Sequence, residues 1–216
     1  MTQRNGIVIF DRQHYGKPGG GELGAAYDLD HDGRIEDHER EANLTPRYYL
    51  PAKRLLEDQG HTVYVLDQGW YSARHREVRR LAMLHSSQHC VYVACHVNAG
   101  ANGHTRPYSL VISDARSTQG RNIAAEVSAA MRDADIPGIN RCITREGTET
   151  EWTNGLNTIK GIYEGPANVA GICFEPYFLD NHRHHYAATK EGGEQIGAAL
   201  ATGLQAYFWN RRRRVY

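Results

Sequence analysis

The chain has 216 residues, 40% of them apolar, and its 25 lysines and arginines balance its 25 aspartates and glutamates. This length fits one domain with a substantial core, and the composition excludes a disordered chain. A formal net charge of zero argues against a dedicated nucleic-acid-binding protein.

The first half of the chain alternates strand-like and helix-like segments. GIVIF at 6–10 predicts a buried strand, and the Gly-rich segment 11–28 behind it predicts a loop. Residues 36–59 have the apolar spacing of a helix, in which Pro46 marks a start or a kink. HTVYVLD at 61–67 predicts a strand, 72–87 a second helix, and CVYVACHVNA at 90–99 a strand buried on both faces.

The second half continues the alternation. PYSLVISD at 107–114 predicts a strand, 119–134 a helix, and 141–157 an irregular polar stretch. TIKGIYEG at 158–165 and VAGICFEPYFLDN at 169–181 predict the last strands, and 191–210 predicts a closing helix. The order predicts an α/β fold, with a single, mainly parallel twisted sheet and helices on both faces. We assign 1–210 to one domain and 211–216, with arginines at 211–214, to a basic C-terminal tail.

Several ionisable residues follow the predicted strands, where ligands bind in parallel sheets. His14 follows the first strand, His96 ends the third and Glu175 ends the last, while the first helix begins near Glu39. Two imidazoles, a carboxylate and an open position form a catalytic zinc arrangement, and a further carboxylate accepts a proton from water. By spacing alone, Glu39 and Glu175 fill the ligand and base roles.

Four motifs in order resemble those of the zinc-dependent N-acetylmuramoyl-L-alanine amidases of the Amidase_3 type. That family carries DPGHGG after its first strand, an acidic ligand four residues before NL, SIHAN after a central strand, and VEPGFLSN near the end. This chain has DRQHYG, EREANL, ACHVNA and FEPYFLDN, and Arg80 lies sixteen residues before His96, as the family's arginine does. The resemblance runs from about residue 6 to residue 208.

The resemblance implies a catalytic domain over 1–210 in which His14, Glu39 and His96 bind Zn²⁺ and Glu175 is the catalytic glutamate. It implies hydrolysis of the amide between the lactyl group of N-acetylmuramic acid and L-alanine by zinc-activated water, with Glu175 taking and then delivering the proton. Asn98 is a candidate for orienting a substrate peptide.

The chain departs from the family motifs at several positions. Arg12, Gln13 and Tyr15 stand where DPGHGG has Pro and Gly, Ala94 and Cys95 stand where SIHAN has Ser and Ile, and Tyr177 stands where VEPGFLSN has Gly. No functional group is lost, but the bulkier side chains leave the substrate preference open.

Residues 28–39, DLDHDGRIEDHE, match a twelve-residue calcium loop. Its candidate ligands are Asp28, Asp30, Asp32, the carbonyl of Arg34, and Glu39 at the last position. The Gly-rich residues before it cannot form the entering helix of an EF-hand, so a calcium site within an enzyme is favoured over a calcium sensor.

One side chain is a poor ligand for two ions at once, and we expect Glu39 to bind zinc. The three aspartates then hold either a weaker Ca²⁺, completed by Glu36 or water, or no ion. Were Glu39 to bind only calcium, Glu41 would be the next zinc candidate, although its spacing to NL differs from the family's.

Two other functions stay open: a zinc exopeptidase of similar fold, and a calcium-binding, cell-wall-binding module without catalysis. The segment WNRRRRVY favours contact with an anionic envelope. The N-terminus resembles no signal peptide, and no apolar stretch approaches the roughly 20 residues that span a membrane.

We therefore expect a monomeric phage or prophage endolysin, made in the cytoplasm and acting on cell-wall peptidoglycan after release. A bacterial amidase without its signal sequence is the alternative. Neither nucleic acid nor a membrane is an expected partner.

Overall fold

A computed structural model describes residues 5–16, 23–99, 108–147 and 156–213, and it describes residues 212 and 213 by their backbone alone. Within these ranges six strands form one sheet in the order β2-β1-β3-β6-β4-β5. The strands are β1 Ile7–Arg12, β2 Thr62–Leu66, β3 Cys90–Cys95, β4 Tyr108–Ser113, β5 Arg141–Glu146 and β6 Val169–Glu175. Neighbouring strands pair in parallel except β4 with β6, which are antiparallel. The predicted α/β class with a mainly parallel sheet is confirmed.

Helices cover both faces of this sheet. They are α1 Glu41–Leu44, α2 Pro46–Asp58, α3 Tyr71–Leu84, α4 Thr118–Asp133, α5 Asn157–Tyr163 and α6 Lys190–Arg213, with 3₁₀ turns at Asp37–Glu39 and His182–Ala188. Val8 and Phe10 of β1 belong to the core under α2, α4 and α6, whereas Ile7 and Ile9 belong to the core under α3 and α5. This alternation follows from the two-residue period of a strand, which buries both faces of β1.

Two predicted elements were wrong. TIKGIYEG forms helix α5, because Ile159 and Ile162 lie three residues apart and both enter the core, as helical spacing requires. The polar stretch from residue 141 contains β5, an edge strand in which Cys142 is the buried side chain, so it carries no apolar alternation. Residues 148–155 of that stretch, like residues 17–22 of the predicted Gly-rich loop, lie outside the described residues.

The sheet register brings three strand ends into one row. Arg12 at the end of β1 pairs with Cys95 at the end of β3, and Cys95 pairs with Phe174 of β6. His96 directly follows β3, Glu175 is the last residue of β6, and His14 follows Arg12 by two residues. The row confirms that these side chains share one rim of the sheet.

The last helix extends into the predicted tail. α6 continues through Arg213, so the backbone at 211–213 is helical, while residues 214–216 lie outside the described part of the chain. Among the described residues, no helix combines the length and the apolar character needed to cross a membrane.

Candidate metal centre

Three side chains converge at the rim: His14, Glu41 and His96. His14 Nε2 lies 3.7 Å from Glu41 Oε2, and His96 Nδ1 lies 2.7 Å from Glu41 Oε1. One ligand atom from each residue can be chosen so that all three lie within 4.8 Å of one another. Glu41 is buried, whereas the side chains of His14 and His96 are 20% and 16% exposed, so the cluster opens to solvent on the histidine side.

This donor set fits zinc. Two imidazoles with one carboxylate are a ligand combination of catalytic zinc sites, whose bonds of about 2.0–2.2 Å place the ligand atoms close together. The cluster brings three donors into such a space and leaves one side to solvent.

The protonation of Glu41 also suits a cation. Burial alone would raise its pKa, but the hydrogen bond with His96 and the charges of His96 and His14 outweigh burial, and the pKa is lowered. Burial likewise works to lower the pKa of His96, and contact with Glu41 reverses this, so that the pKa of His96 is raised. A deprotonated carboxylate is the form that coordinates a metal.

The backbone around Glu41 holds its carboxylate in place. Oε2 accepts the amide of Ala25 at 2.9 Å, and Oε1 accepts the amide of Val97 at 3.0 Å. Gly24 has φ +80°, and a Cβ there would lie 2.4 Å from Glu41 Oε2. Glycine at this position thus permits both the left-handed backbone and the close approach to the carboxylate.

The predicted ligand Glu39 is not part of this cluster, and Glu41 stands in its place. Within the helical segment predicted over 36–59, α2 starts at Pro46, as predicted, and the residues before it are broken: Arg40 is extended (φ −93°, ψ 141°) between a 3₁₀ turn and α1. Glu41 contacts both histidines, whereas Glu39 accepts backbone amides of its own loop. Its Oε1 accepts the amide of Leu29 at 2.5 Å and its Oε2 that of Glu36 at 2.9 Å.

His14 lies in a loop with an uncommon backbone. Its φ of +61° is in the left-handed region, which non-glycine residues adopt only when their surroundings enforce it. Arg74 supplies much of that support: its buried guanidinium pairs with Asp11 and donates to the carbonyl oxygens of Arg12 and Tyr15 on either side of His14.

Sequence reasoning missed Arg74 and selected Arg80. Arg80 is exposed on α3 and pairs with Glu77 three residues before it. Arg74 pairs with Asp11, which lies 63 residues before it, and no local pattern in the sequence joins residues so far apart.

Glu175 lies next to the cluster, as predicted from the end of β6. Burial raises its pKa to about 7, and His96 lowers it while Glu41 raises it, so all three groups act on one another. Asn98 donates from Nδ2 to Glu175 Oε2 at 2.6 Å, and the thiol of Cys173 lies 3.9 Å from Oε1. A carboxyl that titrates near neutrality is suited to proton transfer.

Asn98 is brought into the site, but in contact with the protein. Its backbone amide donates to the carbonyl of Tyr177, and its carbonyl accepts the amide of Leu179, both at 2.9 Å. These bonds fix the side chain that holds Glu175; a contact with substrate stays a prediction. Tyr177 is buried in the core rather than standing at the rim.

The predicted calcium ligands Asp28, Asp30 and Asp32 lie together in an exposed loop. Their carboxylates accept the backbone amides of Asp32, Gly33 and Arg34 at 2.9–3.2 Å. Glu36 belongs to a second group with His38 and Glu39, and its hydrogen bond with Glu39 raises its pKa. The structure therefore does not group Glu36 with the aspartates, and calcium binding stays a prediction.

Comparison with known proteins gives a clear structural likeness and no match in sequence. No family model and no curated protein matches the chain. The solved N-acetylmuramoyl-L-alanine amidase from Clostridium difficile 630 superposes with a TM-score of 0.69 at 18% identity, over 95% of this chain and 97% of that one. The amidase AmiC2 of Nostoc punctiforme gives 0.66 at 17%, over 94% and 96%.

A third similar structure is the catalytic domain of the CD27L endolysin targeting Clostridia difficile. Its TM-score is 0.60 at 16% identity, over 93% of this chain and 97% of that domain. The three TM-scores establish a shared fold that covers nearly the whole chain, and at identities this low they establish the fold alone.

Proposed function

We propose that this protein, which has the fold of the N-acetylmuramoyl-L-alanine amidases, is a zinc-dependent peptidoglycan hydrolase that cleaves the amide between N-acetylmuramic acid and L-alanine. The observation that carries the proposal is the convergence of His14, Glu41 and His96 at the rim where Glu175 also lies. This is the arrangement expected of a metal-assisted hydrolase with a separate acid–base group.

His14, Glu41 and His96 are the residues that would hold zinc. Zinc bound there would lower the pKa of water toward neutrality and polarise the carbonyl of the scissile amide. The backbone amides of Ala25 and Val97 keep the carboxylate of Glu41 oriented throughout.

Glu175 carries out the proton transfers. It accepts the proton of the attacking water and delivers it to the nitrogen of L-alanine, which makes that nitrogen a better leaving group. Asn98 contacts Oε2 at 2.6 Å, whereas the thiol of Cys173 is a weaker donor 3.9 Å from Oε1, so we assign the transfers to Oε1. A cation near Glu175 would favour the ionised carboxylate, the form that acts as the base.

Two observations favour cleavage of the amide between N-acetylmuramic acid and L-alanine over removal of a terminal amino acid by an exopeptidase. The motifs around His14, His96 and Glu175 resemble those of amidases, and similar solved structures of nearly the same extent are amidases by name. A zinc exopeptidase would share the metal chemistry, so the product separates the two functions.

We further propose that the chain acts on the cell wall as an endolysin. The support is its likeness to an endolysin catalytic domain over 97% of that domain, together with a basic end at Arg211 and the residues after it.

Digestion of purified peptidoglycan by the full chain tests this function. We expect intact glycan strands and free stem peptides that begin with L-alanine, because the amide between them is cut. A chelator will abolish the activity and added zinc will restore it, as mass analysis of the fragments will show. Disaccharide-peptide products would instead identify a glycosidase, and free amino acids an exopeptidase.

A further inference from the structure

We propose that Arg12 is a positioning residue that fixes Glu41 relative to His14 and so sets the affinity of the site for its metal. The inference rests on the proposed function, because it requires these two side chains to bind one ion.

Arg12 connects the two elements that carry the ligands. It is the last residue of β1 and stands two residues before His14. Its Nε donates to the carbonyl oxygen of Ala42 at 2.7 Å, and its Nη2 donates to Oδ1 of Asn43 at 2.7 Å. Ala42 and Asn43 directly follow Glu41 in α1. One guanidinium thus spans the gap between the strand end and the helical turn.

The turn that carries Glu41 depends on such contacts. The C-terminal side of α1 continues through the helical Thr45 into α2, which begins at Pro46. The N-terminal side, where Glu41 lies, has no such continuation, because Arg40 before it is extended. The Arg12 fork reaches two acceptors at once, and a planar guanidinium restrains both distance and angle where a point charge would not.

Arg12 is itself fixed on the strand side. Its guanidinium carbon lies 3.4 Å from the ring centroid of Tyr15, a cation–π arrangement, and its carbonyl oxygen accepts Nη1 of Arg74 at 2.6 Å. Arg74 is buried and paired with Asp11. The bridge therefore runs from a rigid buried ion pair to the carboxylate ligand.

This bridge accounts for one departure from the amidase motifs. Arg12 stands where DPGHGG has proline, and proline has no side-chain donor to reach Ala42 and Asn43. The neighbouring departure, Tyr15, supplies the ring against which Arg12 stacks. Arg12 and Tyr15 thus replace two family residues by a pair of side chains that contact each other.

The test measures zinc affinity of the metal-free full chain by competition with a chromophoric chelator. Direct hydrogen-bond partners of metal ligands typically contribute 10–100-fold to affinity. Because Arg12 acts through Ala42 and Asn43 rather than on the carboxylate itself, we expect Arg12→Ala to weaken zinc binding by about tenfold, the lower end of that range. Arg12→Lys, which keeps the charge but not the fork, will fall between it and the wild type. Arg80→Ala, at an exposed arginine that contacts Glu77, is the matched control and will bind as the wild type does.

Two further measurements separate positioning from general stabilisation. The visible spectrum of bound Co²⁺ reports ligand geometry and will change in Arg12→Ala but not in Arg80→Ala. Urea unfolding of the metal-free variants gives the free energy of unfolding. An Arg12→Ala protein that unfolds more easily, yet binds zinc and Co²⁺ as the wild type does, would overturn the inference.

The outcomes also separate this inference from the proposed function. A wild type that binds zinc, together with Arg12 variants of unchanged affinity, would overturn the inference alone. A wild type without zinc affinity would overturn both. If Arg12→Ala does not fold, Arg12→Lys decides, because a folded lysine variant with wild-type affinity contradicts the role given to the fork.

Discussion

Replacing Glu175 by glutamine will lower the rate of amide hydrolysis by about 10²- to 10⁴-fold, the usual contribution of general acid–base catalysis. Zinc content will stay at the wild-type level, because the proposed metal ligands are His14, Glu41 and His96. Glutamine keeps the size of the side chain but cannot accept the proton of water. The measurement is the initial rate on a soluble muropeptide, paired with metal analysis of the same sample.

Glu164→Gln is the control, since Glu164 is an exposed glutamate paired with Arg116. Wild-type rates in Glu175→Gln would refute the catalytic role. Loss of zinc in that variant would place Glu175 among the ligands instead.

The same substitution has a stability consequence in the metal-free protein. Burial raises the pKa of Glu175 from its ordinary value of 4.5 to about 7, so the folded state favours the protonated carboxyl. The wild type therefore loses stability as the pH rises from 4.5 through about 7, where the unfolded chain releases its proton first. Neutral glutamine avoids this loss, and Glu175→Gln will be the more stable protein above pH 7 in urea unfolding.

Glu41→Gln will lose zinc, and Glu39→Gln will keep it. Glu41 contacts both histidines, so its loss will weaken zinc binding by more than the roughly 100-fold upper value for a ligand's hydrogen-bond partner. Glu39 accepts backbone amides of its own loop, and its replacement will change zinc affinity by less than about threefold, small beside the 10–100-fold of such partners. The measurement is the zinc dissociation constant of each variant.

Glu39→Gln will show its effect elsewhere. The amides of Leu29 and Glu36 will lose a charged acceptor, so hydrogen exchange in residues 28–39 will be faster than in the wild type. The opposite pattern, with zinc lost from Glu39→Gln and kept in Glu41→Gln, would show that spacing to NL decides the ligand.

The sequence was sufficient for the strands that build the rim. β1, β3 and β6 are short runs of buried apolar residues, and in a parallel sheet their carboxyl ends meet, so His14, His96 and Glu175 followed from strand position. A strand was predicted where the structure has helix α5. Ile159 and Ile162 are β-branched, which favours a strand, and a single three-residue spacing was too short to indicate a helix.

The carboxylate ligand was beyond such reasoning. Glu39 and Glu41 differ by two positions, and they are distinguished by their contacts, since Glu39 accepts the amides of Leu29 and Glu36 while Glu41 contacts both histidines. Contacts between residues far apart in the chain, such as Arg74 with Asp11 and Arg12 with Ala42, leave no periodic trace in the sequence. These contacts position His14 and Glu41, so the sequence was sufficient to predict where the site lies but not how its side chains are arranged.

The measurement closest to the central claim is hydrolysis of a defined disaccharide-peptide in ¹⁸O-labelled water by the zinc-loaded full chain. Attack of water on the lactyl carbonyl predicts one ¹⁸O atom in the carboxylate of N-acetylmuramic acid and an unlabelled peptide with a free N-terminal L-alanine. Label in a peptide carboxylate, with the lactyl amide intact, would contradict the account.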